Sequence, residues 1–557
     1  MNSTLLLLSL IAGSHAPPQD PKLAIVHVGV VDVAQGELLP DQTVLITEDR
    51  IVWVGPADEA RVPDATKVLE GTGKFLIPGL WDMHVHLQWV WDAQISLPMF
   101  IAFGVTGVRD MASDVQTPSK DQPGLPALLA WREQIARGEL VGPRLLALSS
   151  WPVATDRQTR GDAEALIDEF IERGADFVKV LQGLSAEVYF DIVYSAEERG
   201  LSVAGHVPLS VGMIEASNAG QVSIEHARDF LFDGFRGSAE WRRTTNTQNP
   251  PTAILRRMVD EHDPALVRRV AKVMAKNGTR YVPTHVTRRF DAFADDQAFL
   301  DDPRQVYVPA LRWDSWAFDA GNVIARDPTP EGRAVLMDFY TKGLEATRTA
   351  LDAGVAVLAG TDSNDSYVFP GSSLHDELQE LVKAGLSPAQ VLRTATQAGA
   401  EFLGRTEDHG AIEAGKKADL VLLRDNPLVD ISHTRSIDAV IFDGRLHTRR
   451  DLDDLMRSVA AEVAKMDPVI EVAEAQLERF VGTFEAPMGR VDVSRVDNVL
   501  YFRIRGRPRM RLRALSETRF VFLPREITIT FDVGSDGEVT SLRFEQGGQE
   551  SMARKVE

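Results

Sequence analysis

The sequence predicts an α/β protein: a (β/α)8 TIM barrel, a small split β-sandwich module assembled from both of its flanks, and a C-terminal antiparallel β domain. Three observations carry this expectation. Strand-like and helix-like segments alternate over residues 75–410, the pattern of parallel strands joined by helical crossovers. Short strands without intervening helices stand on either side of that stretch, and each set is too small to bury a core alone. From Phe480 onward the chain alternates apolar and polar residues in short runs separated by turn pairs. An open doubly wound sheet is the rival arrangement, but no Gly-x-Gly-x-x-Gly follows a strand.

Residues 1–16, ending Ser14-His15-Ala16, read as a signal peptide. The apolar run is too short to span a bilayer, and Ser14 and Ala16 supply the small residues of a cleavage site. Export to the periplasm or beyond is expected, with no membrane insertion, since no later run is long enough for a spanning helix. The sandwich module takes residues 23–74, with strands over Leu23–Val31, Thr43–Thr47 and Arg50–Val54. Its other half is residues 411–450, with strands in Ala418–Leu423 and Ala439–His447.

Eight barrel strands are expected within residues 75–410. The first is the run Phe75-Leu-Ile-Pro-Gly-Leu-Trp-Asp-Met-His84-Val-His86-Leu87. Val105–Met111, Arg144–Ser149, Phe177–Leu181, Leu201–Val207, Val222–Ala227, Arg280–Val286 and Val355–Ser363 follow. Asp162 caps a helix over Ala163–Arg173 that Gly174 closes, and Ser185 caps Ala186–Arg199, which stops at Gly200. Ser387-Pro388 opens a further helix, with Gly404 just beyond its end. The connections 228–279 and 287–354 exceed ordinary barrel loops and are expected to fold over the mouth. Their aromatics Trp241, Tyr307, Trp313, Trp316 and Tyr340 are expected to pack there rather than meet substrate. Residues 451–479 read as a helical linker, and residues 480–557 as the antiparallel domain, with hairpin turns at Asp497-Asn498 and Asp536-Gly537.

Composition narrows the chemistry. A net charge of −21 argues against nucleic acid or an anionic membrane as partner. The absence of cysteine excludes disulfides, thiolate nucleophiles and Cys-ligated zinc, so any metal must be held by His, carboxylate or modified Lys.

The strand ends supply such a set. In a strand, alternate side chains share a face, so His84 and His86 point the same way. Strand four carries Lys179, strand five ends in Gly205-His206, strand six in Glu225-His226, and strand eight in Thr361-Asp362. A barrel gathers these ends around one mouth, where four imidazoles and a carboxylate suit zinc or a similar divalent ion. An ammonium in an apolar strand beside dications is costly. The Lys179 amine is therefore expected to be neutralised, and reaction with carbon dioxide would make it a bridging carbamate.

The motifs HVH, FVKV, AGHV, SIEHA and AGTDS, in this order, resemble the amidohydrolase superfamily in its binuclear, carboxylated-lysine form. The phrasing around GADFVKV, GLSVAGHVP and SIEHA is most similar to the imidazolonepropionase-like and Xaa-Pro dipeptidase-like branch. The resemblance implies two divalent ions, with His84, His86 and Asp362 on the buried one, His206 and His226 on the other, and carbamylated Lys179 between them. It implies a hydrolase that attacks a C–N bond of a small amide with a metal-bridging hydroxide, Asp362 serving as general base and then acid. A dipeptide or N-acyl amino acid is the leading substrate class; a cyclic amide, or a silent barrel used for binding, is the alternative. From its position at the end of strand seven, His285 is a candidate either for contact with the substrate carbonyl or for a packed or capping histidine, and Arg228, after His226, either for a substrate carboxylate or for a surface ion pair. Arg109 is expected in a structural ion pair, and His375 in helix packing. A homo-oligomer is compatible with the sequence.

Overall fold

The computed structural model describes residues 21–88, 93–119, 122–159, 161–466, 470–487, 489–505 and 507–556. The expected signal peptide lies outside the described residues.

Seven regular parallel strands and one extended segment close the large barrel. Leu80–Val85, Val105–Asp110 and Arg144–Leu148 form one ladder; Phe177–Val180, Ser202–Gly205, Ser223–Glu225 and Arg280–Val282 form another. Bridges from Ser149 to Phe177 and from Val153 to Val180 join the two. The eighth segment, expected as a strand over Val355–Ser363, is a correction: it makes only single bridges, Val357 to Tyr281 and Ser363 to Val85. The cause is local. Asp362 and Asn364 sit at φ 65° and 84°, left-handed backbone that no ladder accommodates. The segment still seals the barrel, because the Asp362 amide donates to His84 O at 2.7 Å and the His86 amide to Ser363 O at 3.1 Å.

The helix starts and stops follow their caps. Asp162 accepts from the Ala165 amide and Ser185 from the Val188 amide, while Gly174 ends the first of these helices at φ 88°. Ser387 and Gln390 form a capping box, but the helix it opens ends at Thr394. A second helix, Gln397–Phe402, follows the break at Thr396.

Strands from both flanks share one eight-stranded sheet, ordered Arg445–Thr448, Ile437–Phe442, Leu420–Leu423, Phe75–Pro78, Leu23–Asp32, Glu37–Thr47 and Arg50–Pro56, with Lys67–Glu70 beside Leu23–Asp32. Phe75–Pro78 belongs to this sheet, and its continuation past Gly79 is the first barrel strand. A Cβ at Gly79 would lie 2.1 Å from Thr106 Oγ1, so only glycine lets the chain cross between the two layers.

The two long connections are helical. Trp241 packs on Phe232 and Phe235, while Trp313 and Trp316 pack around Tyr367. After the helices Arg449–Met466 and Glu474–Phe480, eight antiparallel strands from Gly482–Ala486 to Gln549–Lys555 close a second barrel. It is filled by Phe480, Phe484, Phe502, Phe520, Phe522, Phe531 and Phe544. This barrel docks on the helix Ala310–Arg326 of the second long connection. The Arg513 guanidinium donates to both oxygens of buried Asp314 at 2.5 and 2.9 Å, and Phe522 meets Phe318.

Candidate metal centre

Five of the six side chains expected as ligands lie in one run of direct contacts. Asp362 Oδ1 is 2.7 Å from His86 Nε2 and 3.2 Å from His84 Nε2, and its other oxygen is 3.7 Å from His226 Nδ1. His226 Nε2 faces His206 Nε2 at 3.0 Å. His84, His226 and Asp362 offer ligand atoms within 4.8 Å of one another. Lys179 is buried, and its charge is felt at His86, His206 and Glu225.

The backbone at these positions is unusual, and two glycines make room for it. His226 and Asp362 adopt φ 74° and 65°, a conformation that side-chain-bearing residues adopt at a cost and that clusters at functional sites. Before His206, Gly205 has φ 128°, and a Cβ there would lie 2.3 Å from Val180 O and 3.0 Å from Lys179 Cδ. The glycine of AGHV thus places His206 against the lysine strand.

Arg109 stands in a structural ion pair, as expected, but its partner Glu225 and the neighbouring Asp82, which orient the cluster, were not foreseen from the sequence. Glu225 accepts from His84 Nδ1 at 2.8 Å, and buried Arg109 donates to Glu225 at 2.9 Å, to Ser223 Oγ and to the Met83 carbonyl. With Nδ1–H committed to Glu225, His84 presents its Nε2 lone pair toward Asp362, the arrangement by which a carboxylate orients a metal-binding imidazole. Burial works to raise the Glu225 carboxyl, but Arg109 and the His84 hydrogen bond hold it down at about 2. Strand alternation carries the signal. Ser223 and Glu225 share a face, and a carboxylate inside a barrel needs a cation. Asp82 shares parity with His84 in the same way, and accepts from the Thr361 amide and hydroxyl and from the His84 amide.

The electrostatics suit a set of donors for a cation. Burial, then the charge of Lys179, hold His206 well below the usual imidazole value; burial and His206 do so for His226. Burial lowers the Lys179 amine to about 8 against the pull of Glu225 and Asp362. Its Nζ has no hydrogen-bond partner among the described residues, and His84 Nε2 has none either despite its closeness to Asp362. A buried orphaned amine and lone pairs converging on one carboxylate fit a cation held between them.

His285 stands apart. It opens the helix His285–Phe293, is buried, and its Nε2 meets Thr347 Oγ1 at 2.9 Å. Arg228 Nη2 meets His206 Nδ1 at 3.1 Å and lines a cavity of about 640 Å³. His375 donates or accepts only in helix packing, to Phe103 O and Thr434.

A parallel barrel with such a cluster at its C-terminal strand ends is the layout of enzymes that activate water for hydrolysis. Residues 75–447 match the Amidohydrolase family, and the chain belongs to it as a hydrolase acting on carbon–nitrogen bonds. Residues 466–555 match a domain of unknown function, DUF3471. The chain is 25% identical to an imidazolonepropionase of Micrococcus luteus over 70% of its own length and 89% of that protein. It is likewise 25% identical to an ochratoxinase of Aspergillus niger, over 75% and 84%. A Xaa-Pro dipeptidase crystallised with methionine in its active site shares the fold, with a TM-score of 0.55 at 21% identity over 76% of this chain and 99% of that one.

Proposed function

We propose that this amidohydrolase cleaves the amide bond of a dipeptide or N-acyl amino acid with two divalent ions, zinc by the chemistry of the donors. His84, His86 and Asp362 would hold one ion, His206 and His226 the other, and Lys179, as its carbamate, would join them. The observation that carries this reading is the run of four imidazoles and Asp362 beside a buried lysine amine that has no hydrogen-bond partner among the described residues. Nitrogen and carboxylate donors without sulfur suit zinc. When bound, the ions supply a water of lowered pKa and polarise the scissile carbonyl.

The chain's own residues do the rest. Burial would raise Asp362, but the charge of His84 and the hydrogen bonds of His84 and His86 hold it well below the usual carboxylate range. It is therefore ionised near neutral pH, able to take a proton from the attacking water and pass it to the leaving nitrogen. Glu225, anchored by Arg109, keeps His84 in one tautomer and one orientation. Arg228 would bind a substrate carboxylate, and His285, whose Nε2 meets Thr347, would offer Nδ1 to a substrate carbonyl. The imidazolonepropionase likeness favours a second reading, a cyclic amide.

We also propose that residues 1–16 direct export, and that residues 23–74 and 411–450 form one sandwich module beside the barrel of 75–410, with 451–479 linking it to 480–557. The central test is Asp362→Asn in zinc-loaded protein, assayed against dipeptides, N-acyl amino acids and cyclic amides. Turnover should fall about a thousandfold while most of the metal is retained. Undiminished turnover with metal in place refutes the proton role, and the active substrate set separates the two amide classes.

A further inference from the structure

The cavity beside Arg228 has a wall that the amidohydrolase match does not supply, since that match ends at residue 447. Its inner side is formed by Arg228 and by Asp365, whose amide donates to Asp362 O at 2.9 Å. The second long connection adds Arg288, Asp319 and Arg326. Gln248 and Asn249 of the first long connection also line it, and a further part of the wall is Arg507 and Pro508, from the turn between the strands Val499–Ile504 and Met510–Ala514 of the C-terminal barrel. Pro508 packs so closely on the helix Ala310–Arg326 that a Cβ at Gly321 would lie 2.6 Å from it, which fixes the turn at the cavity.

Not every charge on this wall is satisfied. Arg288 is held by Asp291 at 2.5 Å, and Asp319 accepts from the Ser366 hydroxyl at 2.9 Å. Arg228, only 9% exposed, touches His206, and no carboxylate lies within ion-pair range of it among the described residues. Arg507 also has no carboxylate partner among them, and its side chain is exposed. Two guanidiniums without a direct ion pair among the described residues, one buried and one on the opposite domain, border the same space, which Asp291, Asp319 and Asp365 also line. A carboxylate is the ligand that a planar guanidinium fork accepts best.

We propose that the C-terminal barrel is part of the substrate site, and that Arg507 selects amide substrates bearing a carboxylate, drawing them into the cavity whose inner wall is Arg228. This rests on the amide-hydrolase reading above and assigns a role to the DUF3471 region. Arg507 is a specificity residue rather than a catalytic one, since it contacts none of the clustered ligands.

The test is equilibrium binding, measured by calorimetry, to the full-length chain carrying Asp362→Asn throughout so that turnover does not consume the probes, with N-acetyl-leucine and its neutral carboxamide as ligands. This parent should prefer the carboxylate. Arg507→Ala should lower that preference about tenfold, Arg507→Lys should keep most of it, and Arg507→Glu should abolish it. Arg509→Ala removes the same charge from the same turn, but Arg509 lies over the Tyr501 ring and does not line this cavity, so the preference should stand. An unchanged preference in Arg507→Ala, an equal loss in Arg509→Ala, or failure of the parent to prefer the carboxylate overturns the proposal. Because the readout is binding, a chain that selects the carboxylate through Arg507 yet, with Asp362 intact, hydrolyses no amide would sink the catalytic reading alone.

Discussion

The two barrels of this chain each close with eight strand segments and bury opposite kinds of residue. The parallel barrel holds Arg109, Glu225, Lys179, Asp82 and His84 in its interior; the antiparallel one is filled by phenylalanines. Buried charge is tolerated only where each group finds a partner. The parallel barrel meets that demand with a linked run, Arg109 to Glu225 to His84 to Asp362, while the Lys179 amine has no hydrogen-bond partner among the described residues. The antiparallel barrel needs no such run. Its aromatic contacts, such as Phe480 stacked on Phe531 at 4.4 Å, serve stability, and its chemistry is confined to an outer turn. The contrast teaches that strand number does not decide what a barrel does; the residues its interior must satisfy do.

Cutting the linked run should have the largest effect. Arg109→Ala leaves Glu225 buried without its cation and removes the hydrogen bonds to Ser223 and the Met83 carbonyl. Stability should fall by about 5 kcal/mol, with zinc uptake falling too as His84 loses its orienting carboxylate. All nine tryptophans lie at or before Trp316, so tryptophan fluorescence in a urea titration reads this part of the chain. A loss below about 1 kcal/mol would mean that the polar interior is not a linked unit.

The apolar barrel should respond differently. Phe531→Ala removes a ring that meets Phe480, Phe484 and Phe520, and should cost about 3–4 kcal/mol. Circular dichroism and proteolysis should show early loss of the C-terminal strands while the tryptophan transition holds its midpoint. If both transitions move together, the Asp314–Arg513 and Phe318–Phe522 contacts couple the barrels into one cooperative unit, and the contrast drawn above concerns composition alone.

The sequence made the barrel legible because strand ends and helix caps are local signals: Asp162, Ser185 and Ser387 each cap the helix they were expected to open. The convergence of His84, His86, His206, His226 and Asp362 was legible because barrel topology places strand ends together. Two things were not. The eighth segment read as a strand because its apolar run is strand-like, whereas the left-handed backbone at Asp362 is imposed by its site. Glu225 read as the neighbour of a ligand rather than a partner of His84, because that contact spans 141 residues. Arg507 was silent for the same reason: nothing local links a turn of one barrel to the mouth of the other.

The smallest effect is one of pH, and it falls on one barrel only. All twelve histidines lie at or before His447, so the antiparallel barrel has none to titrate. His375 is fully buried in the helix Ser372–Lys383, with Nε2 on the Phe103 carbonyl. Burial, then the charge of Arg435, push its imidazole down to about 3, despite the Phe103 carbonyl and Asp376. Its folded value lies below the unfolded one of about 6.5, so between them the unfolded chain holds a proton that the native chain does not. Stability is therefore complete above the unfolded value and is lost as pH falls below it, by about 2 kcal/mol at pH 5 from this residue. His375→Gln removes the titration, so its tryptophan-detected stability should fall less steeply than the wild type's between pH 7 and 5. Asp82, Glu377 and the other histidines are common to both proteins and cancel in the difference. Parallel pH profiles would show that His375 is already protonated in the folded chain and that its helix tolerates a charge. The rule that the parallel barrel buries charge only in partnered runs would then need an exception at this position.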